Sequence, residues 1–104
     1  MEPVVREAVE RIVAQAHPLR VILFGSAARN EQGSESDIDL LVVMPAGTPK
    51  RRTAQMLYRR LRGLSLPVDV MVTTELDLNQ QKDNPGLIYR TILREGKVLY
   101  AAYT

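Results

Sequence analysis

A chain of 104 residues, 45% hydrophobic and 25% charged, has the size and balance of one globular domain and is long enough to bury a core. Apolar runs such as Val21–Phe24 and Leu40–Met44 reach only about five residues, far short of the roughly 20 that span a bilayer, which excludes a membrane protein; no basic-then-apolar leader is visible, so a cytoplasmic location is expected. With no cysteine and His17 as the sole histidine, disulfides and zinc sites built on thiolate or imidazole are excluded, any metal must be held by oxygen, and a net charge of +2 is too small to argue for nucleic acid.

In chain order, Val5, Ala8, Val9, Ile12, Val13 and Ala16 recur at helical spacing behind Pro3, a residue suited to a first helical turn, and predict a helix over 3–16. His17-Pro18 ends it. Leu19 to Phe24 is short, partly β-branched and stopped by Gly25, the pattern of a buried strand. A short helical turn is expected over Ala27 to Asn30 and a polar loop over Glu31 to Ser36. Asp37 to Val43 then reads as a second strand. Lys50 to Arg62 carries Ala54, Leu57, Tyr58 and Leu61 on one stripe and predicts a second long helix, closed by Gly63. Val68 to Val72 is a third strand. Asn84-Pro85 opens and Gly96 closes a last helix through Leu87, Ile88, Ile92 and Leu93, and Lys97 to Tyr100 is an edge strand.

This order implies an α/β (α+β) fold in which helices cover one face of a small mixed β-sheet, leaving the other face for chemistry. No repeat or Gly/Ser-rich linker interrupts it, so residues 1–104 are read as one domain.

Residues two apart on a strand share a face, so Asp37 and Asp39 project together while Ile38, Leu40 and Val42 point away. Two like charges in one small volume disfavour each other, and protonation or a bound cation relieves them. Mg²⁺ suits such a pair, because it takes one or two protein carboxylates and completes its shell with waters and phosphates. Asp69 interrupts an otherwise apolar strand. If the second and third strands are neighbours, Asp69 joins Asp37 and Asp39, and three carboxylates can hold two ions about 3.5–4 Å apart, the arrangement that serves phosphoryl transfer. A phosphate seat is available at Gly25-Ser26, where a strand turns toward a short helix with its N–H groups free, and Arg29 can add a bidentate contact.

These residues carry a resemblance. Gly25-Ser26, ten residues, then Asp37-Ile38-Asp39, within Phe24-Gly25-Ser26-Ala27-Ala28-Arg29 and Ser36-Asp37-Ile38-Asp39-Leu40, is similar to the signature of DNA polymerase β-like nucleotidyltransferases. More closely, the chain resembles the minimal nucleotidyltransferases, small single domains that are often antitoxins paired with HEPN-domain toxins. Val68-Asp69-Val70 and the closing stretch from Leu93 to Tyr100 extend the likeness.

The resemblance implies transfer of AMP from ATP to a hydroxyl, in the antitoxin members a tyrosine of the cognate toxin. It places the triphosphate at Gly25 and Ser26, and Mg²⁺ (two ions, with Mn²⁺ as a substitute) at Asp37 and Asp39. Asp69 then completes the metal site and helps activate the hydroxyl. Ala27 stands where members often carry a cation, and Asn30 where they carry glycine. Two rival functions stay open: an antitoxin that binds and occludes its toxin without chemistry, and transfer to a small molecule or RNA.

Lys50, Arg51, Arg52, Arg59, Arg60 and Arg62 form the one basic concentration. A solvated helix face explains them first, an acidic partner protein next and nucleic acid last, since no aromatic platform is interleaved. His17 reads as a helix-end residue, and Tyr89, Tyr100 and Tyr103 as packing or interface residues of a chain that could form homo- or hetero-oligomers. So short a chain leaves the acceptor to arrive on another protein.

Overall fold

The computed structural model describes residues 2–25, 28, 37–84 and 88–102. Its elements are α1 (Pro3–Ala16), β1 (Arg20–Phe24), β2 (Ile38–Met44), α2 (Lys50–Arg60), β3 (Val68–Thr74), α3 (Glu75–Gln81), α4 (Ile88–Glu95) and β4 (Lys97–Ala101). The expected helices and strands are present within a few residues of their predicted ends, and α3 is additional. Helix α1 starts on Pro3 and ends where His17 takes a left-handed conformation, φ 50°, its N–H donating to Val13 O. Of the expected turn over Ala27 to Asn30 and the loop over Glu31 to Ser36, only Ala28 lies within the described residues. Its N–H donates to Gly25 O at 3.2 Å and its side chain is buried.

The four strands form one mixed sheet in the order β3-β2-β1-β4. β1 runs antiparallel to both β2 and β4, whereas β2 and β3 are parallel, so the chain must cross the sheet between them, which α2 does. The backbone N–H of Ile38 donates to Pro67 O, fastening the start of this parallel ladder.

On the first face, Val5, Ala8, Val9 and Ile12 of α1 and Leu57 and Leu61 of α2 pack on Val21, Leu23, Ile38, Leu40, Val42 and Val70. Fully burying one such side chain is worth about 1.5–3 kcal/mol, so this layer is the main source of cohesion. The two helices are further joined by Arg11, whose guanidinium donates to Arg60 O and Arg62 O at 3.1 and 2.8 Å. It thereby satisfies carbonyls at the end of α2 that have no partner within the helix.

Here the architecture departs from the expectation that helices cover one face only. On the second face Leu78 of α3 and Ile92 of α4 pack with Ile22, Leu41 and Val43 in a separate buried cluster. The reason is visible in β2, where residues of both parities from Leu40 to Met44 are buried, which requires cover on both sides. Thr74 starts α3 by accepting the Asp77 N–H on its hydroxyl at 3.1 Å, and an ion pair between Lys50 and Asp77 ties α3 to the start of α2.

Gly96 lies where α4 turns into β4. A Cβ there would meet Ile92 O at 2.5 Å, Ile22 Cγ2 at 2.7 Å and Leu23 O at 3.1 Å. Two of these neighbours are backbone atoms that cannot swing aside. Gly96→Ala is therefore expected to destabilise the protein by about 1–3 kcal/mol, read in thermal denaturation as a fall in Tm of roughly 5 °C or more.

Candidate functional site

The parallel register sets Asp39 beside Asp69, and the antiparallel register sets Phe24 on the other side of Asp39. The neighbour relation between the second and third strands, on which the grouping of acids depends, is therefore present. Because register partners share a face, Asp39 and Asp69 continue the row of Leu41, Val43, Met71 and Thr73 toward the starts of β2 and β3. Helices α3 and α4 cover the apolar part of that face, and the two carboxylates lie beyond it. Asp39 is half-buried, whereas Asp69 and Asp37, the residue just before β2, are exposed.

Charge and burial act together on Asp39. Burial in the first place, then the Asp69 carboxylate and then that of Asp37, push its carboxyl above the usual carboxylate range. Each of these causes opposes the ionised form, so the protein concentrates negative charge where its own fold resists it.

Gly25 closes the site from the end of β1. Its φ of +76° belongs to the left-handed region that glycine adopts without strain, and a Cβ there would overlap Asp39 Oδ2 and stand 3.3 Å from Asp39 Cγ. The missing side chain thus lets the Asp39 carboxylate lie directly against the turn at the end of β1. Ser26 and Arg29, the other expected phosphate contacts, lie outside the described residues, as do Ala27 and Asn30.

An all-oxygen donor set and mutual repulsion that a cation would relieve fit a hard divalent ion. Among the described residues, however, no three acidic or histidine side chains converge into a ready-made metal cluster. A bound ion would take the remainder of its shell from water and from substrate oxygens.

Sequence reasoning overlooked two contacts of α2. Tyr58, expected on the apolar stripe, is 46% exposed. Its hydroxyl accepts from Val70 N–H at 3.0 Å and donates to Val70 O at 3.3 Å, on the open edge of β3. No sequence periodicity announces such a contact, since it depends on how α2 crosses the sheet. The capping of α2 by Arg11 is of the same kind. Helix α3 was also missed, although Thr74, then Asp77 three residues on, before Leu78, is a helix-start spacing. The six cations from Lys50 to Arg62 are all exposed, and of their side chains Lys50 alone forms an ion pair among the described residues.

Among the described residues a four-stranded mixed sheet with four helices carries a glycine turn and two paired acids at one end, and this is the nucleotidyltransferase fold. The chain belongs to the nucleotidyltransferase domain family, whose model matches residues 4–99, and it is a nucleotidyltransferase. It is 33% identical over 81 residues, 78% of this chain and 77% of the relative, to a Methanocaldococcus jannaschii protein provisionally named a protein adenylyltransferase. Two solved structures share the fold. A provisionally assigned nucleotidyltransferase from Sulfolobus solfataricus has a TM-score of 0.64 at 24% identity, over 95% of this chain and 78% of that one. A toxin–antitoxin structure with AMP-PNP has a TM-score of 0.58 at 22% identity, over 93% and 73%. Nucleotidyltransferases generally use divalent metals, which accords with the donor set described above.

The raised Asp39 carboxyl has a consequence for stability. Well below the ordinary carboxylate range the group is protonated in folded and unfolded chains alike and no penalty arises. As pH rises toward the higher folded value the unfolded chain gives up its proton first, and folding loses stability. Asp39→Asn is therefore expected to raise the Tm of the metal-free protein near neutrality, with an advantage that shrinks as pH is lowered toward 4. Equal Tm values at neutral pH would contradict this account of the site.

Proposed function

We propose that this protein transfers AMP from ATP to a tyrosine hydroxyl of a partner protein, acting as the antitoxin of a HEPN-type toxin. The observation that carries the reading is the Asp39–Asp69 register pair beside the Gly25 turn, in a chain of the nucleotidyltransferase family. The provisional name of the Methanocaldococcus jannaschii relative supports a protein acceptor, and the toxin–antitoxin neighbour with AMP-PNP supports the nucleotide and the kind of partner. That no helix among the described residues is long and apolar enough to cross a membrane agrees with the cytoplasmic site of action proposed here.

In this reading Asp37, Asp39 and Asp69 would hold Mg²⁺, two ions with the nucleotide, or Mn²⁺ as a substitute. The metal would supply charge neutralisation for the triphosphate and for the pyrophosphate that leaves. Gly25 and Ser26 offer backbone N–H groups to the phosphates, for which the lack of a side chain at Gly25 keeps the approach open, and Arg29 adds a bidentate contact. The acceptor hydroxyl oxygen bonds to the α-phosphorus while the bond to the bridging oxygen of the β-phosphate breaks. Asp69, the more exposed of the paired acids, receives the hydroxyl proton, and pyrophosphate departs. The half-buried Asp39 is then the member that holds position, with β1 and β3 on either side of its strand.

The test is labelling of the co-expressed toxin with ATP that carries radioactivity in the α-phosphate. Label is expected to appear on a toxin tyrosine and to require divalent metal, and ATP labelled in the γ-phosphate should leave the toxin unlabelled. In the Asp37→Ala, Asp39→Ala double variant the rate should fall by about a hundredfold or more, the scale for loss of electrostatic stabilisation at a reacting phosphate. Undiminished labelling in that variant would remove these acids from the reaction. Neutralisation of the toxin by the same variant would replace catalysis with occlusion.

A further inference from the structure

Strand β3 lies at one end of the sheet, with β2 as its sole strand neighbour among the described residues. In a parallel ladder alternate residues turn their N–H and C=O toward the neighbour, and those between turn them outward. Val70 is an outward residue, and both of its backbone groups are taken by one side-chain atom, the Tyr58 hydroxyl. An edge strand without a partner frays and opens locally more readily than the centre of its sheet. At Val70 the tyrosine does what another strand would do.

The position of that contact matters because Val70 directly follows Asp69. Packing does not explain Tyr58, since nearly half of it is exposed while its neighbours Leu57 and Leu61 fill the first core. Val70 itself is buried and its bonds to Tyr58 are part-buried, so the hydroxyl serves an outward N–H and C=O that water reaches only in part. A tyrosine side chain has only two rotatable bonds before its rigid ring, so a hydroxyl anchored on α2 fixes the edge of β3 laterally. The strand whose lateral position is fixed is the one that holds Asp69 opposite Asp39.

We propose that Tyr58 is a positioning residue for the metal site: its hydroxyl, clamped on both backbone groups of Val70, holds the Asp69 carboxylate at the separation from Asp39 that a shared divalent ion requires. This rests on the nucleotidyl-transfer reading of the acids and adds to it a residue outside the site that governs their geometry.

The experiment compares the intact protein with Tyr58→Phe, Asp69→Asn, their combination and Asp39→Asn, using Mn²⁺ alone as the probe and its paramagnetic signal to follow binding. Tyr58→Phe keeps the ring and removes the hydroxyl. Its Mn²⁺ affinity is expected to fall about tenfold, the low end of what removing the partner of a metal ligand does. The same substitution made in the Asp69→Asn protein should bring no further loss, because the carboxylate it positions is already gone. Hydrogen exchange at the Val70 amide should quicken in Tyr58→Phe, which reads the clamp itself without metal or activity.

A Tyr58→Phe protein that binds Mn²⁺ as tightly as the intact one, while Asp39→Asn binds it more weakly, overturns the positioning role and leaves the metal reading standing. Equal tenfold losses with and without the Asp69 carboxylate assign Tyr58 a merely structural role and likewise overturn it. If Asp39→Asn binds Mn²⁺ as well as the intact protein, the metal reading itself fails, and this inference falls with it.

Discussion

The parallel pairing of β2 with β3 is the constraint from which the rest of the site follows. It sets Asp39 and Asp69 side by side in register, where the Asp69 carboxylate adds to burial in opposing the ionised state of Asp39. A fold assembled for stability alone would place an apolar or hydrogen-bonded pair there, as the same two strands do one step further on with Leu41 and Met71. The acids instead stand at the start of the ladder, where Phe24 and Gly25 bring β1 alongside. Gly25, with its positive φ and no Cβ, is the only kind of residue that can end β1 there without striking the Asp39 carboxylate.

Around this repulsive centre the fold is conventional and cohesive. Two buried clusters, one under α1 and α2 and one under α3 and α4, grip the sheet from both sides and leave the acids at its rim. Burial of side chains such as Ile12, Leu40 and Leu57 outweighs the modest unfavourable electrostatics at Asp39. A rigid scaffold that tolerates a poorly stabilised site is what preorganised chemistry needs, and the cost is the familiar opposition between stability and activity.

The sequence displays the acids clearly because strand alternation is a local rule. Asp37 and Asp39 are two apart in an apolar run, and Asp69 interrupts another, so the pattern could be read without knowing the fold. Whether Asp69 met Asp39 could not be read, since register between strands separated by a whole helix is a tertiary fact. The second covered face was legible in principle from the unbroken apolar run Leu40–Met44, and α3 from the spacing of Thr74 and Asp77. Tyr58 and Arg11 were not. Each acts on backbone groups distant in sequence, and nothing in composition or periodicity distinguishes a tyrosine that clamps an edge from one that packs in a core. The three-carboxylate cluster envisaged from sequence is looser in the fold: Asp37 reaches Asp39 through its field, while the paired strands bring Asp39 and Asp69 together.

The crossover through α2 also governs when the site can exist. Asp39 and Asp69 lie on strands joined through that helix, so their meeting is a long-range event that closes a large loop, and loop closure must precede any reward from the contacts it permits. The hairpin-like antiparallel contacts of β1 with β2 need no such crossing. A chain that has formed its helices and β1–β2 but has yet to dock α2 and β3 holds its acids apart and free of mutual repulsion. The pairing of the acids is thus tied to completion of the fold rather than to its secondary structure, and a half-assembled copy lacks it.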